Sequence, residues 1–273
     1  MLELVKYDLK HGLKKFSNIF LIVSVTVICD IANLFNILNA GSLSGDVYKC
    51  SFLDYYIYSM RGMEYFDITK AVNFQIPIYW FVVYMGIAYF IGYYTKENLQ
   101  SVGNYMMIKS KSRVKWWYSK CIWCFVSVFS IFAVRFGSVL IYCIINRIEI
   151  SFSVNYNVLK LFCNQVVFMN KSELIISSTL LPFVLTYAIS LIQILISIVF
   201  DAVASFAFVC INYVLAAYYT SPFLLGNYLM WFRNNKVCNG GGYDLNNGLL
   251  VSIIMILLVI LIGASHMDKK DLL

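Results

Sequence analysis

Long apolar blocks constrain this chain more than any other feature of its sequence. A helix needs about 20 residues to cross the hydrocarbon core of a bilayer, and six blocks have about this length. They cover residues 20–38, 76–94, 120–144, 174–200, 202–219 and 249–265. The fourth and fifth blocks are divided by a tight turn near Asp201, because their combined run is far too long for one span. We therefore predict an all-α integral membrane protein, a single domain over residues 1–273 with six transmembrane helices.

The composition supports this class. The chain is 61% hydrophobic and 13% charged, whereas a soluble domain is usually about half apolar and about a quarter charged. The first block follows a basic N-terminus, as a secretory signal would. Its run from Phe20 to Leu38 is long for such a signal, and no small-x-small cleavage site follows. We expect this block to remain as the first span.

Basic residues predict the orientation of the chain, because positive charge is retained on the cytoplasmic side. The segment before the first span is lysine-rich, and the loop after that span holds more acids than bases. Both termini are therefore predicted to be cytoplasmic. The segment over residues 96–120 is also predicted to be inside, because Glu97 is its only acid against Lys96, Lys109, Lys111, Arg113, Lys115 and Lys120.

The first sixteen residues show a helical apolar pattern. One face carries lysines at positions 6, 10 and 14, and the other carries Leu2, Val5, Leu9, Leu13 and Phe16. This pattern predicts a helix lying in the membrane interface and leading into the first span.

The sequence lacks the residues that most membrane enzymes need. Gly240, Gly241 and Gly242 are not followed by Lys-Ser or Lys-Thr, which excludes a Walker A phosphate-binding loop. Cys121-x-x-Cys124 has the spacing of a metal or redox pair, but no second pair accompanies it, and the two histidines lie at the far ends of the chain. We predict no catalytic residues, no metal site and no cofactor bound by this chain, and nothing indicates nucleic acid as a partner.

Three cysteines fall in loops that we place outside the cell. Cys50, Cys163 and Cys238 allow one disulfide with one thiol remaining. The spacing does not decide whether a bridge forms or between which two.

Two charges fall inside predicted spans, where ionisable groups are costly. Asp30 follows Lys15 by fifteen residues, and Arg135 follows Lys120 by fifteen. Both charges then lie roughly 20 Å above the inner boundary at 1.5 Å per residue. Asp30 and Arg135 are therefore candidates for an intramembrane charge pair. In one interpretation they form an ion pair on a substrate path; in the other they form a structural pair or reach separately toward the outer headgroups.

The segment KENLQSVGNYMMIKSKSRVKWWYSK, residues 96–120, joins the second and third spans. Leu99, Val102 and Met106 share one helical face, and a basic break leads into Trp116 and Trp117. This order predicts a short amphipathic helix at the inner surface.

The same order resembles the loop between the second and third helices of ABC-2 type permeases, the type V subunits of ABC exporters. In that family a glutamate follows the second span, a glycine comes next, and an R-x-K-W-W…K run opens the third span. Glu97, Gly103 and the run from Arg113 to Lys120 match this pattern. The resemblance extends over nearly the whole chain, which is similar to small permeases of Firmicutes.

The resemblance implies a mechanism. Such permeases pair with a second copy or a related permease, contact membrane lipid, and dock on cytoplasmic ATPase subunits that bind ATP and Mg. The short helix acts there as a coupling helix, which implies a contact with the ATPase at Glu97, Asn98, Ser101, Gly103 and Asn104. The basic run, by its charge, is predicted to anchor the segment to anionic lipid through Lys109, Lys111, Arg113, Lys115 and Lys120.

The function implied is that of a transport subunit without its own enzymatic activity, moving a peptide, an antimicrobial compound or a lipid-like substrate. Two alternatives stay open. One is a secondary transporter, although the internal repeats typical of that class are not evident. The other is a sensor or immunity protein that sequesters a toxin through its outer loops.

Overall fold

The computed structural model describes residues 2–42, 50–64, 66, 74–110, 112–160, 169–237 and 242–269, and these residues form an all-helical bundle. Within these described ranges, five helices are long and apolar enough to cross a membrane. The predicted fifth span corresponds to a shorter apolar helix of 17 residues, Ala202–Tyr218. The all-α class is confirmed. The spans begin and end differently from the prediction: Ser17–Asn39, Ile78–Ser101, Arg113–Ile145, Lys171–Val199 and Leu245–Lys269.

Twelve α-helices occur among the described residues. The longest are α2 (Ser17–Ser42), α4 (Ile78–Asn98), α6 (Arg113–Ile145), α9 (Leu181–Val199), α10 (Ala202–Tyr218) and α12 (Leu245–Lys269). The shorter ones are α1 (Leu2–Lys15), α3 (Phe52–Met60), α5 (Asn104–Ser110), α7 (Tyr156–Lys160), α8 (Lys171–Ile175) and α11 (Leu225–Tyr228).

Helix α9 forms the centre of the bundle and packs against α4, α6, α10 and α12. Polar side chains connect it to α4, as is common between helices in membranes. Gln193 Nε2 donates to the Ala88 carbonyl at 2.6 Å, and Ser197 Oγ donates to the Gly92 carbonyl at 3.2 Å. Gly92 permits this approach, because a Cβ there would lie 2.8 Å from Gln193 Nε2.

A π-helical turn, Ile176–Leu180, precedes α9. Its position follows from Pro182, which has no N–H to donate to the preceding turn. Within this turn two serine hydroxyls donate to the Leu174 carbonyl, Ser177 at 3.1 Å and Ser178 at 2.7 Å. Sequence reasoning predicted an uninterrupted span here.

The predicted N-terminal helix is confirmed as α1, and its location in the membrane interface stays a prediction. Leu4, Asp8 and Gly12 of α1 are buried against the rest of the protein, as is Phe16 directly after the helix. Gly12 lies against the Trp123 indole of α6, where an added Cβ would overlap the ring. Helix α1 therefore packs along the bundle through a face that contains an acid.

Helix α3 lies between the first two long helices in the sequence, and all nine of its residues are buried. Phe52 packs edge-on against Phe136 and Phe152, and the Phe52 amide donates to the Glu149 carbonyl at 2.9 Å. The helix is thus enclosed between α6 and the segment that follows it.

Candidate functional site

Four segments meet at one end of the bundle, called here the N-terminal end. Lys15 at the end of α1 forms an ion pair with Glu97 at the end of α4. Lys96 Nζ lies 3.8 Å from the Asp201 carboxylate and donates to the Phe200 carbonyl at 3.1 Å. The Trp117 indole donates to the Ile260 carbonyl of α12 at 3.0 Å. These contacts place the first helix, the 96–120 segment, the Asp201 turn and the last turns of α12 together.

The predicted coupling segment is a bend in the chain followed by a short helix. Helix α4 ends at Asn98, and a π-helical turn, Leu99–Gly103, follows. Ser101 has non-helical angles, φ −113° and ψ −110°, and its hydroxyl donates to the Glu97 carbonyl at 2.7 Å. The bend returns Gly103 onto the Asn98 carbonyl, where a Cβ would overlap the backbone. The glycine is thus required by close approach.

The five predicted contact residues separate into two groups. Glu97 and Ser101 are exposed, whereas Asn98 and Gly103 are buried inside the bend. Asn104 begins α5. The largest exposed apolar side chains of the segment belong instead to Tyr105, 67% exposed, and Ile108, 70% exposed. Their spacing of three residues places them on one face of α5.

The basic anchor requires one correction. Lys120 is fully buried, so it cannot contact lipid headgroups. Its ammonium forms an ion pair of 2.5 Å with Asp8, which also accepts from Ser119 Oγ at 2.6 Å and Tyr94 OH at 3.1 Å. The cause is the packing of α1 on α6, which turns Asp8 inward. Lys115 is exposed, Arg113 is half-buried, Lys109 lies on α5, and Lys111 lies outside the described residues.

The predicted pair of Asp30 and Arg135 is also replaced. The Arg61 guanidinium lies 2.8 Å from Asp30 and stacks on Tyr58, with 3.6 Å to the ring centroid. Arg135 donates to the Ser59 carbonyl and lies close enough to act on Asp30 electrostatically. The reason is geometric: the buried α3 brings its C-terminal end between the two predicted partners.

Arg233 is a third buried cation, and sequence reasoning missed it. Its guanidinium donates to the carbonyls of Ala216 and Ala217 at the end of α10, and to the side chain of Asn227. It also reaches the Met63 carbonyl at 3.3 Å. An arginine in the apolar stretch LMWFR was the available signal, because a charge among buried aromatics must find polar partners.

A polar cleft of about 430 Å³ lies beside α3, lined by Cys50, Ser51, Asp54, Glu149, Ser151, Ser153, Val154, Asn155, Tyr156 and Asn157. Asp54 is buried in its wall and accepts from the Ser51 amide at 2.8 Å and the Asn155 amide at 2.9 Å. Burial raises the pKa of Asp54 to about 6, although these hydrogen bonds act in the opposite direction.

Of the three cysteines considered for a disulfide, Cys50 lines this cleft. Cys163 and Cys238 lie outside the described residues, so the disulfide stays a prediction.

The described residues contain no group of three or more histidine, cysteine or acidic side chains placed to hold a metal ion. Cys121 and Cys124 of α6 are both buried in the apolar core, as is Cys143.

Comparison with known proteins gives one match. Residues 19–273 match the model of a family described as "Protein of unknown function (DUF2705)". No curated protein and no solved structure matches the chain.

Proposed function

Starting from the membership of this chain in the DUF2705 family, we propose that it is the membrane-embedded permease subunit of an ATP-driven exporter. In this proposal α10 is a sixth span, both termini are cytoplasmic in a bacterial cell membrane, and ATP is hydrolysed by separate ATPase subunits. The substrate is a peptide, an antimicrobial compound or a lipid-like molecule.

The observation that carries the proposal is the structure of the 96–110 segment. A span continues past a bend into a short helix that presents Tyr105 and Ile108 outward. Exposed aromatic and aliphatic side chains on a short helix are typical of a surface that docks into a partner's groove. The N-terminal end also holds the Lys15–Glu97 and Lys96–Asp201 contacts. A force applied to α5 would therefore pass through the bend to the end of α4, and from there to α1 and the α9–α10 turn through these two contacts.

The test is co-purification with enzymatic readout. The tagged full-length chain is purified from its native cells in mild detergent, bound proteins are identified by mass spectrometry, and ATP hydrolysis is measured. We expect an ABC ATPase to accompany the intact chain, and Ile108→Asp to remove it by placing a charge in the contact. Phe223→Asp is the matched control, because Phe223 is 90% exposed and lies beyond the C-terminal end of α10, away from α5.

Two results would contradict the proposal. An intact chain that never carries an ATPase is not an exporter subunit of this kind. An ATPase that remains bound to Ile108→Asp as well as to Phe223→Asp does not dock on α5.

The polar cleft beside α3 favours a second candidate function, a membrane-anchored binding protein that captures a ligand from outside the cell. Its volume lies in the range of small-molecule and peptide-residue sites. In that case Ile108→Asp leaves ligand binding by the purified chain unchanged, whereas Glu149→Gln in the lining of the cleft abolishes it.

A further inference from the structure

The buried charges around the end of α3 do not balance. Arg61 forms an ion pair of 2.8 Å with Asp30, whose side chain is 4% exposed. Arg135 is 3% exposed and forms no ion pair with an acid within the described ranges. It donates to the carbonyl and hydroxyl oxygens of Ser59, which carry no charge. Asp30 is thus acted on by two guanidinium groups, and the cluster has one positive charge in surplus. An unpaired charge inside a membrane protein is costly.

Hydrogen-bond donors are in surplus at the same place. The Trp80 indole N–H and the hydroxyls of Tyr56 and Tyr84 are buried without a hydrogen-bond partner among the residues that the structure describes. Trp80 and Tyr84 pack with their ring centroids 4.8 Å apart, and the charge of Arg135 acts on both hydroxyls. An indole nitrogen can only donate, and buried polar groups in folded proteins are nearly always satisfied. The cluster therefore calls for one more acceptor, and its charge calls for a negative one.

A cavity lies against these groups. It has a volume of about 40 Å³ and is lined by Asp30, Ser59, Arg61, Gly62, Pro77, Ile78, Tyr79 and Trp80. One water needs about 10–15 Å³ of such space. The cavity is therefore large enough for a monatomic ion and too small for a peptide or a lipid headgroup. Arg61 connects it to the surface, since its side chain is 23% exposed.

The acid in the cavity wall does not reverse the sign of the site. Arg61 Nη1 donates to Asp30 at 2.8 Å and to the Tyr58 carbonyl at 2.9 Å, so the charge of Asp30 is compensated locally. A guanidinium carries five N–H donors, which allows Arg61 to bind a second acceptor beside Asp30. The charge of Arg135 then stays uncompensated, and it makes the potential in the cavity positive.

We propose that this cavity is a binding site for a small inorganic anion of the size of chloride. The Arg61 guanidinium and the Trp80 indole N–H contact the ion, and Arg135 attracts it across an interior where charges are weakly screened. The bound ion balances the charge of the cluster and stabilises the junction of α2, α3 and α4. The site goes beyond the exporter proposal and needs no ATPase.

Binding is measured on the full-length chain purified in detergent. Radiolabelled chloride is followed by a scintillation proximity assay, with bromide, sulfate and gluconate as competitors at constant ionic strength. We expect saturable binding of a single chloride. Bromide should displace it because bromide has nearly the same size and the same charge, whereas sulfate and gluconate are too large for the cavity.

The variant Trp80→Phe removes the unpartnered indole N–H and keeps an aromatic ring. We expect it to weaken chloride binding about tenfold, because it deletes one hydrogen bond to a charged group. The matched control is Trp231→Phe, since the Trp231 indole donates to Ser177 Oγ at 3.1 Å and does not line the cavity. This control should leave the chloride affinity unchanged.

The variant Arg135→Gln tests the surplus charge and keeps the Asp30–Arg61 pair. Thermal unfolding is compared in sodium chloride and in sodium gluconate of equal concentration. At about a hundredfold excess of chloride over its dissociation constant, we expect the wild type to unfold roughly 5 °C higher in chloride. Arg135→Gln should unfold at the same temperature in both salts. A purely structural role of Arg135 at Ser59 would lower both temperatures and preserve the difference.

Three results would overturn the inference. The first is the lack of saturable chloride binding, which leaves the cavity to water. The second is displacement of chloride by sulfate as readily as by bromide, which indicates a general effect of salt. The third is a chloride-dependent unfolding temperature that persists in Arg135→Gln. Because none of these measurements involves an ATPase, this site and the exporter proposal can fail independently.

Discussion

At the scale of the residue, the buried ion pair of Lys120 and Asp8 is the most consequential contact in the chain. The Lys120 side chain has no exposed surface, and its ammonium also lies 5.0 Å from the ring centroids of Tyr94 and Trp116. Removing one partner of a buried pair leaves an uncompensated charge, which typically costs about 3–5 kcal/mol. The pair therefore fixes α1 against α6.

We expect Lys120→Met to lower the free energy of unfolding by about 3–5 kcal/mol, because Asp8 then remains buried without its cation. The double variant Asp8→Asn with Lys120→Met should recover most of this loss. Thermal unfolding in detergent, followed by circular dichroism, measures both. Equal stability of the single and double variants would show that Asp8 is not buried against Lys120.

Asp54 makes the stability depend on pH. Unfolded Asp54 has a pKa near 3.8, and the folded value is about 6. Between these values the folded chain keeps a proton that the unfolded chain has released, so the free energy of unfolding falls as pH rises through this window and is flat above it. The expected fall is about 3 kcal/mol. Unfolding measured from about pH 4 to 7 should show it for the wild type and not for Asp54→Asn.

The ion pairs of Asp8 and Asp30 were not predicted from the sequence. The helical pattern of α1 gave no indication that Asp8 faces Lys120 of α6. Arg61 lies after α3 in a segment interpreted as an outer loop, so its contact with Asp30 could not be anticipated. The pairing of buried charges depends on how helices pack, and spacing along one chain does not contain that information.

At the scale of the element, two tryptophans of α6 are packed against glycines of neighbouring helices. Gly12 of α1 accommodates Trp123, and Gly263 of α12 accommodates Trp117. The second contact also aligns the Trp117 indole with the Ile260 carbonyl. Small residues allow this approach of helices in membranes, and here they connect α1, α6 and α12.

We expect Gly263→Ala to destabilise the chain by about 1–3 kcal/mol, because the added methyl overlaps the Trp117 ring. Gly137→Ala on α6 is the matched control. No atom lies within 4 Å of a Cβ added there, so this change should be neutral or stabilise the helix by up to about 1 kcal/mol. Urea unfolding in detergent distinguishes them, and equal effects would contradict the packing.

The existence of the long helices was predictable from apolar block length, whereas their interruptions were not. The π-helical turn Ile176–Leu180 lies inside the predicted apolar block 174–200, whereas the turn Leu99–Gly103 follows the predicted second span and precedes the short helix. Pro182 was a visible signal for the turn Ile176–Leu180, and Gly103 for the turn Leu99–Gly103. The burial of α3 gave no signal, because its tyrosines suit a membrane interface as well as a protein interior.

At the scale of the whole molecule, the contacts of Lys15, Lys96 and Trp117 bring the N-terminus, the 96–120 segment, the Asp201 turn and the end of α12 to one end. With six proposed spans the chain returns to its starting side after every second span, so both termini, the 96–120 segment and the Asp201 turn must lie at the same end. Which end faces the cytoplasm follows only from the charge distribution.

Orientation can be measured with cysteines in a chain that otherwise lacks them. We expect Phe223→Cys to react with a membrane-impermeant maleimide in intact cells, because Phe223 is exposed at the end opposite α5. Lys14→Cys should react only after the cells are opened. The reverse pattern would invert the topology and remove the basis for a cytoplasmic partner at α5.

Arg233 has a consequence for how the chain is made. Its guanidinium joins carbonyls of residues 216 and 217 to the Met63 carbonyl, which lies 170 positions earlier. During synthesis the end of α10 and the segment after α3 must therefore wait in the membrane until residue 233 leaves the ribosome. A nascent chain that stops before this point carries uncapped carbonyls at a bilayer surface. The part of the bundle that Arg233 joins is therefore completed only after residue 233 has been synthesised.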